Sequence, residues 1–105
     1  MTQSDLPALH GVRVLDLTTQ RAELAGRMLA ELGAEVLKLE PPGGAEARRI
    51  GPFDESNGAS LYWATVGMGK HSAVLDIATS EGQETVRQLV RRADVLMTSG
   101  RIACH

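Results

Sequence analysis

Apolar residues along the chain fall into short runs and into stripes with helical spacing. Residues 12–17 form a short, largely apolar run with polar residues at its ends, which predicts a buried strand. Residues 35–40 alternate polar and apolar positions, which predicts a second strand. Between them lies the stripe of an amphipathic helix, formed by Ala25, Met28, Leu29 and Leu32. Strand, helix and strand within about 30 residues predict a right-handed β-α-β crossover.

Polar residues around this first helix suggest how it begins, faces solvent and ends. The threonines at 18–19 can cap its start, and Gly33 stands where a residue with left-handed backbone ends a helix. Three charged residues are spaced for ion pairs on an outer face: Glu23, Arg27 and Glu31. This pattern predicts a helix that covers the sheet with its apolar stripe.

The second half of the chain repeats the pattern after a loop. Prolines and glycines at 41–44 end the second strand, residues 45–57 are predicted as a loop, and residues 60–66 as a short helix. Residues 72–77 and 94–98 predict two more strands. Ser80 and Gln83 fit a capping box for the helix between them. Its apolar face is expected to be Val86, Leu89, Val90 and Ala93, and its basic C-terminal half carries Arg87, Arg91 and Arg92.

The order of elements predicts an α/β fold with a mostly parallel sheet of about four strands and flanking helices. A length of 105 residues fits one small domain. The net charge of −2 lacks the basic excess of a dedicated nucleic-acid binder. Aromatic residues make up 3% of the chain, too few to build a stacking platform for bases, so no nucleic-acid partner is expected.

Cysteine content and hydropathy argue against further classes of protein. Cys104 is the single cysteine, and with His105 it supplies two ligands, too few for a structural zinc site. The first ten residues contain no apolar run like that of a signal peptide. No apolar stretch approaches the roughly 18 residues of a membrane span. We therefore expect a cytoplasmic protein with no metal and no membrane contact.

The β-α-β unit invites a test for dinucleotide binding. That fingerprint needs glycines between the first strand and its helix, but residues 18–23 contain none. Glu40, at the end of the second strand, is therefore expected to be a solvated carboxylate. Residues 67–70 contain two glycines and a lysine, but lack the strand-loop-helix context of a phosphate loop. Ordinary NAD or ATP binding is not expected.

Two aspartates inside the predicted strands were weighed as catalytic groups. Asp16 lies in Leu-Asp-Leu and Asp76 in Leu-Asp-Ile. Such acids more often accept hydrogen bonds from nearby backbone than act in catalysis, so neither is assigned a catalytic role. The histidines His10, His71 and His105 have no acid or nucleophile at a known catalytic spacing and are expected on the surface.

Longer segments of the chain point to a known family. Residues 11–18, Gly-Val-Arg-Val-Leu-Asp-Leu-Thr, resemble the opening of family III CoA-transferases, the formyl-CoA and carnitine CoA-transferase group. The similarity continues in the family's order and spacing through residues 32–44, 47–53, 60–63, 69–70, 75–76, 81–82 and 93–96. It covers roughly residues 6 to 98. The ordered combination, rather than any one segment, identifies the chain as a member.

The resemblance implies that residues 1–105 are part of the Rossmann-like N-terminal domain of a much longer enzyme. In this family two chains interlock as rings, and an aspartate attacks an acyl-CoA to form a mixed anhydride, which divides thioester exchange into two easier steps. That aspartate lies well downstream, so no catalytic residue is expected here and the chain is expected to be inactive alone. CoA or acyl-CoA is implied as a substrate rather than a permanently bound cofactor. The implied partner is a second copy or a complementary C-terminal chain.

The resemblance also places part of the CoA site in this chain. The family's CoA-contacting loop after the first strand maps onto Thr19, Gln20, Arg21 and Ala22. Leu75, Ser99 and Arg101 fall at positions near the adenine and phosphates. Because the phosphates of CoA need positive charge around them, four cations are candidates: Arg48, Arg49, Lys70 and Arg101.

Departures from the family pattern concentrate in these loops. The usual Ala-Gly-Pro becomes Arg-Ala-Glu-Leu at residues 21–24 and is one residue shorter. Residues 67–72 keep the lysine of Asn-Arg-Gly-Lys-Arg-Ser, and residues 98–103 keep only the arginine of Glu-Asn-Phe-Arg-Pro-Gly. This pattern indicates a diverged ligand or an impaired site.

Two alternatives to a transferase stay open at the level of sequence. An acyl-CoA racemase shares these N-terminal segments and differs in residues further downstream. A non-enzymatic CoA-binding or assembly module would also keep the core segments while its contact loops diverge. In each case four parallel strands would leave unpaired sheet edges, which predicts self-association or a partner.

Overall fold

The computed structural model describes residues 5–99, apart from the side chain of Arg21. Its four strands are β1 (Arg13–Asp16), β2 (Glu35–Glu40), β3 (His71–Val74) and β4 (Val95–Met97). All pairings are parallel, and the strand order is β3-β2-β1-β4. The predicted α/β class with a parallel four-stranded sheet is confirmed.

Three α-helices connect the strands: α1 (Glu23–Glu31), α2 (Leu61–Val66) and α3 (Ser80–Arg92). Short 3-10 helices precede α1 at Gln20–Ala22 and interrupt the predicted loop at Glu46–Arg49. The chain moves outward from β1 to β2 and β3, then returns to the other side of β1 to form β4. With right-handed crossovers, this reversal puts α3 on the opposite sheet face from α1 and α2.

The main apolar core lies between α1 and the sheet. It is formed by Val14, Ala34 and Val36, with partly buried neighbours Leu9, Val12, Leu29, Ala30 and Met97. Because strand side chains alternate between the two faces, the buried Leu15 and Leu39 belong to the α3 side. Both faces of the central strands are therefore covered.

Helix α1 does not bury the predicted stripe. Met28 and Leu32 are 55% and 49% exposed, and of the stripe residues only Leu29 packs against the core. The buried positions of α1 are instead Glu23 and Gly26. The prediction that Glu23 faces solvent was wrong because two buried lysines, Lys38 and Lys70, lie beneath α1, and Asp16 alone would balance only one of them. The exposed Arg27–Glu31 ion pair, at 3.2 Å, is confirmed.

The end of α1 agrees with the prediction from sequence, whereas the starts of α1 and α3 differ from it. Gly33 ends α1 with φ +102°, and Ser60 caps α2 by accepting a hydrogen bond from the Trp63 N–H at 3.0 Å. The N-cap of α3 is Thr79 rather than Ser80, since its hydroxyl accepts from the Gly82 N–H. The threonines at 18–19 do not cap α1, because the 3-10 turn intervenes and Ala22 is the N-cap.

The outer strands are more exposed than the central ones. β3 ends at Val74, so Asp76 lies outside the strand that was predicted to contain it. All four residues of β3 are exposed, and Val74 is 63% exposed. In the described part of the chain, no helix has the length and apolar character needed to cross a membrane.

Candidate functional site

A cavity of about 570 Å³ opens where the parallel strands end. It lies at the carboxyl ends of β1, β2 and β4, and its lining includes Thr18, Thr19, Arg49, Leu75, Ile77 and Ser99. In open parallel sheets, ligands bind at this end, in the crevice where the strand order reverses. Here the reversal falls between β1 and β4. The volume is in the range of small-molecule sites, so this cavity is the candidate ligand site.

The loops after β1 and β4 are joined at the rim of this cavity. The Thr19 N–H donates to Ser99 Oγ at 2.9 Å, and the two hydroxyls lie 3.2 Å apart. Just below, the Leu17 N–H donates to the Met97 carbonyl at 2.9 Å. Two predicted site residues that are 80 positions apart in the sequence are thus brought into contact.

The rest of the predicted CoA loop lies behind Thr19. Gln20 has φ +54°, a left-handed conformation that is uncommon for a residue with a side chain, and its carbonyl accepts from the Tyr62 hydroxyl at 3.4 Å. Gln20 and Ala22 belong to the 3-10 turn and do not line the cavity. The side chain of Arg21 and the whole of Arg101, Cys104 and His105 lie outside the described part of the structure.

Glu40 is buried, so its prediction as a solvated carboxylate was wrong. It is 2% exposed and pairs with Arg48 through both carboxylate oxygens, at 2.5 and 2.8 Å. The Ala45 N–H also donates to it at 2.8 Å. The hydrogen bond from Arg48, which outweighs the opposing effect of burial, lowers the pKa of Glu40 from 4.5 to about 2. A glutamate paired in this way is not free to accept a hydrogen bond from a ribose hydroxyl.

Arg48 and Arg49, both predicted as candidate phosphate contacts, have different surroundings. Arg48 is paired with Glu40 and stacks over the ring of Trp63, 4.4 Å from its centroid. Arg49 lines the cavity and donates to the carbonyls of Gly43 and Gly44 at 3.2 and 3.4 Å. Its positive charge has no carboxylate partner among residues 5–99 and remains available to an anion.

Lys70 lies beneath the loop that follows β1, in a cluster of four buried charges. Its Nζ lies 2.9 Å from both Asp16 Oδ2 and Glu23 Oε1. Lys38 Nζ lies 3.1 Å from Glu23 Oε2 and 3.9 Å from Asp16 Oδ1. All four side chains are at most 2% exposed, and two ammonium groups balance two carboxylates. We call Asp16, Glu23, Lys38 and Lys70 the charge cluster.

Sequence reasoning missed Glu23 and Lys38 as parts of this arrangement. A signal was available for Lys38, because a parallel strand covered on both faces is normally apolar throughout. A lysine in such a strand indicates a buried partner of opposite charge. No comparable local signal marks Glu23, since its spacing to Arg27 and Glu31 also fits a solvated helix face.

Leu75 and the two aspartates considered in the sequence analysis take part in local hydrogen bonds. Leu75 lines the cavity, and its N–H donates to the Glu40 carbonyl at 2.8 Å. Asp16 and Asp76 accept hydrogen bonds from the N–H groups of Thr18 and Ala78. Among the described residues, no group of three or more histidine, cysteine, aspartate or glutamate side chains could hold a metal ion.

The fold and the cavity define a Rossmann-like α/β domain with a candidate ligand site at its switch point. Residues 9–104 match the sequence model of CoA-transferase family III. The chain belongs to this family, and the resemblance found in the sequence is confirmed.

Curated relatives of the chain are similar to it over most of its length. The succinate–glutarate CoA-transferase of Agrobacterium fabrum is 43% identical over 98 residues, covering 87% of this chain and 24% of the relative. The probable fatty acyl-CoA transferase Rv3272 of Mycobacterium tuberculosis is 36% identical over 102 residues, covering 95% and 26%. The chain therefore spans about a quarter of the length of these relatives.

Solved structures agree with the sequence comparison. The crystal structure of a CAIB/BAIF family protein from Brucella suis superposes with a TM-score of 0.79 at 35% identity, covering 89% of this chain and 26% of that one. The structure of Rv3272 from Mycobacterium tuberculosis gives a TM-score of 0.80 at 38% identity, covering 90% and 26%. The described fold is thus that of the corresponding part of these family members.

Proposed function

We propose that this chain is the N-terminal portion of an acyl-CoA:carboxylate CoA-transferase and contributes part of its CoA-binding site. The observation that carries the proposal is the cavity at the carboxyl ends of β1, β2 and β4, in a chain of this family. The relatives described above are named as CoA-transferases, which favours transfer over racemisation.

The chemistry of the cavity suits a nucleotide thioester. Leucine and isoleucine side chains at 17, 39, 75 and 77 supply an apolar wall for a flat base. Arg49 supplies a cation for phosphate, and a guanidinium can bind two phosphate oxygens at once. The hydroxyls of Thr19 and Ser99 supply polar contacts at the rim. We assign CoA binding to these residues, with Arg49 as the phosphate contact.

We infer that this chain does not catalyse transfer by itself. The proposed mechanism needs a free carboxylate to attack the thioester carbonyl. Asp16, Glu23 and Glu40 are buried and paired with lysine or arginine, so none of these three is free to act as that nucleophile. The nucleophilic aspartate is then supplied by another part of a longer protein or by a partner chain, in a dimeric assembly that we place in the cytoplasm.

Calorimetric titration of the 105-residue chain with CoA tests the binding part of this proposal. We expect measurable heat for the parent chain, and weaker, less salt-dependent binding for Arg49→Ala, because one phosphate contact is lost. The matched control is Arg87→Ala, which removes an exposed arginine paired with Glu84 on α3 and should leave binding unchanged. Absence of heat at millimolar CoA would remove the binding proposal.

Mass spectrometry separates the transferase from the racemase. The full-length gene product is incubated with an acyl-CoA and quenched. A transferase accumulates a covalent adduct on an aspartate, whereas a racemase that moves a proton does not. Detection of the adduct on a residue outside residues 1–105 supports the proposal, and a protein that turns over acyl-CoA without any aspartyl adduct contradicts it.

A further inference from the structure

The charge cluster holds both ends of the segment that forms the cavity wall. Lys38 Nζ donates to the carbonyl of Thr18, and Lys70 Nζ donates to the carbonyl of Glu23 at 2.7 Å. Asp16 Oδ1 accepts from the N–H and the hydroxyl of Thr18, at 2.9 and 2.6 Å. Residues 18–23, which we call the 18–23 segment, are therefore anchored at each end by buried charged groups.

The middle of the 18–23 segment is held in a shape that it would not adopt freely. Thr19 is fixed to Ser99 across the rim, and Gln20 is kept at φ +54°. A non-glycine residue in this region of backbone space persists only where its surroundings hold it. Because the segment carries Thr19 at the cavity, the anchors below it set the position of a proposed ligand contact.

Lys70 is committed to the charge cluster. Its Nζ donates to the Glu23 carbonyl at 2.7 Å and to Glu23 Oε1 at 2.9 Å, and it forms an ion pair with Asp16 Oδ2, also at 2.9 Å. Its side chain is 1% exposed, and its charge is balanced within the charge cluster. The lysine that the family resemblance offers as a phosphate candidate is thus buried and does not line the cavity.

The charge cluster is also packed without spare room. A Cβ on Gly26 would lie 2.3 Å from Asp16 Oδ2 and 2.9 Å from Lys70 Cε. Helix α1 can approach β1 this closely only because residue 26 has no side chain. The anchors are therefore tightly confined, as positioning groups must be if they are to hold a neighbouring segment in one geometry.

We propose that Lys70 and Glu23 are positioning residues: they hold the 18–23 segment in the shape that receives CoA, and Lys70 does not contact a phosphate. The inference rests on the proposed function for its ligand, but the anchoring itself can be measured without CoA. Glu23 stands in the stretch where this chain departs from the family's Ala-Gly-Pro, so the departure brings its own buried partner for Lys70.

The test is the double variant Glu23→Gln/Lys70→Met, which removes one charge of each sign and leaves the Asp16–Lys38 pair. We expect CoA binding to weaken roughly tenfold, with an unchanged salt dependence of Kd, because no phosphate contact is lost. Amide hydrogen exchange should quicken in the 18–23 segment and stay unchanged in α3. The matched control, Arg27→Met/Glu31→Gln, removes a partly exposed pair of the same helix that lies outside the charge cluster, and it should change none of these.

Two outcomes would overturn the inference. A reduced salt dependence, as expected for Arg49→Ala, would mean that Lys70 contacts a phosphate. Unchanged affinity and unchanged exchange, measured well below the unfolding temperature, would mean that the pair serves only the global fold. If the double variant does not fold, Glu23→Gln/Lys70→Gln keeps the charge balance and leaves polar atoms at both positions, and it should shift Kd and exchange in the same direction by less. If the parent chain fails to bind CoA, the proposed function fails, while the exchange measurement still decides the anchoring.

Discussion

Helices α1 and α3 lie on opposite faces of the same sheet and meet it in different ways. Helix α1 turns Glu23 and Gly26 toward the strands, close above Asp16 and Lys38. Helix α3 turns Leu89 toward the other face, where Leu15 and Leu37 line a cavity of about 290 Å³ beneath it. One contact is tight and charged, and the other is apolar and loose.

The surface opposite a helix decides which of its faces is turned toward the sheet. Beneath α3 the opposing strands are apolar, and the helix turns apolar residues toward them: Val86, Leu89 and Ala93 are partly buried there. Beneath α1 the acid Asp16 lies with two lysines, Lys38 and Lys70, and the second lysine needs a partner of opposite sign. Helix α1 supplies that partner through Glu23, so Leu24, Met28 and Leu32 remain about half exposed.

The largest effect is expected when the charge cluster loses a single charge. Lys38→Met should lower the free energy of unfolding by about 3–5 kcal/mol, because two buried carboxylates then share one lysine and the Thr18 carbonyl loses its donor. Urea unfolding followed by circular dichroism measures this. A Lys38→Met variant as stable as the parent chain would show that the balance of charges in the cluster does not stabilise the fold.

A smaller loss is expected from filling the space between α1 and β1. Gly26→Ala would ordinarily stabilise a helix by about 1 kcal/mol. Here the added methyl group meets Asp16 and Lys70, so we expect a net destabilisation of about 1–3 kcal/mol. Thermal unfolding compares it with Ala25→Gly, an exposed neighbour expected to cost about 1 kcal/mol through helix propensity alone. Stabilisation by Gly26→Ala would contradict the close approach of α1.

Low pH should reduce the free energy of unfolding through protonation of Glu40. Because the hydrogen bond from Arg48 lowers the pKa of Glu40 from 4.5 to about 2, the pair contributes its full stability above pH 4.5 and loses it as the pH falls through about 2. Arg48 is 42% exposed, so solvent screening limits the contribution to roughly 1–2 kcal/mol. Glu40→Gln should flatten this part of the profile of unfolding free energy against pH. Identical slopes for the two proteins between pH 5 and pH 2 would argue against the pair.

The smallest effect is expected on the outer side of α1. Met28→Lys places a charge at a position that is 55% exposed, so the free energy of unfolding should change by no more than about 0.5 kcal/mol. Met28→Lys is the opposite exchange to Lys38→Met. Hydropathy alone would predict that replacing the methionine costs more than replacing the lysine, and we expect the reverse. A loss of more than 2 kcal/mol for Met28→Lys in a monomeric sample would show that α1 buries this stripe after all.

Much of the fold followed from local patterns. The apolar run at 12–17, the alternation at 35–40 and Gly33 predicted β1, β2 and the end of α1, because strand and helix periodicity and turn residues act over a few positions. The family segments predicted where the candidate site would lie, and Thr19, Arg49, Leu75 and Ser99 do line one cavity. Their contacts with CoA stay a prediction.

The amino-acid sequence is enough to predict the order of strands and helices, the parallel sheet and the family of this protein. Which polar residues are buried, and what they contact there, becomes visible in the folded chain. Glu23 and Lys70 are 47 positions apart, and nothing local to either one distinguishes a buried ion pair from two solvated charges. The physical reason is that burying a charge is favourable only when its partners lie within a few ångströms, and the packing of α1 on β1 and β2 sets those distances.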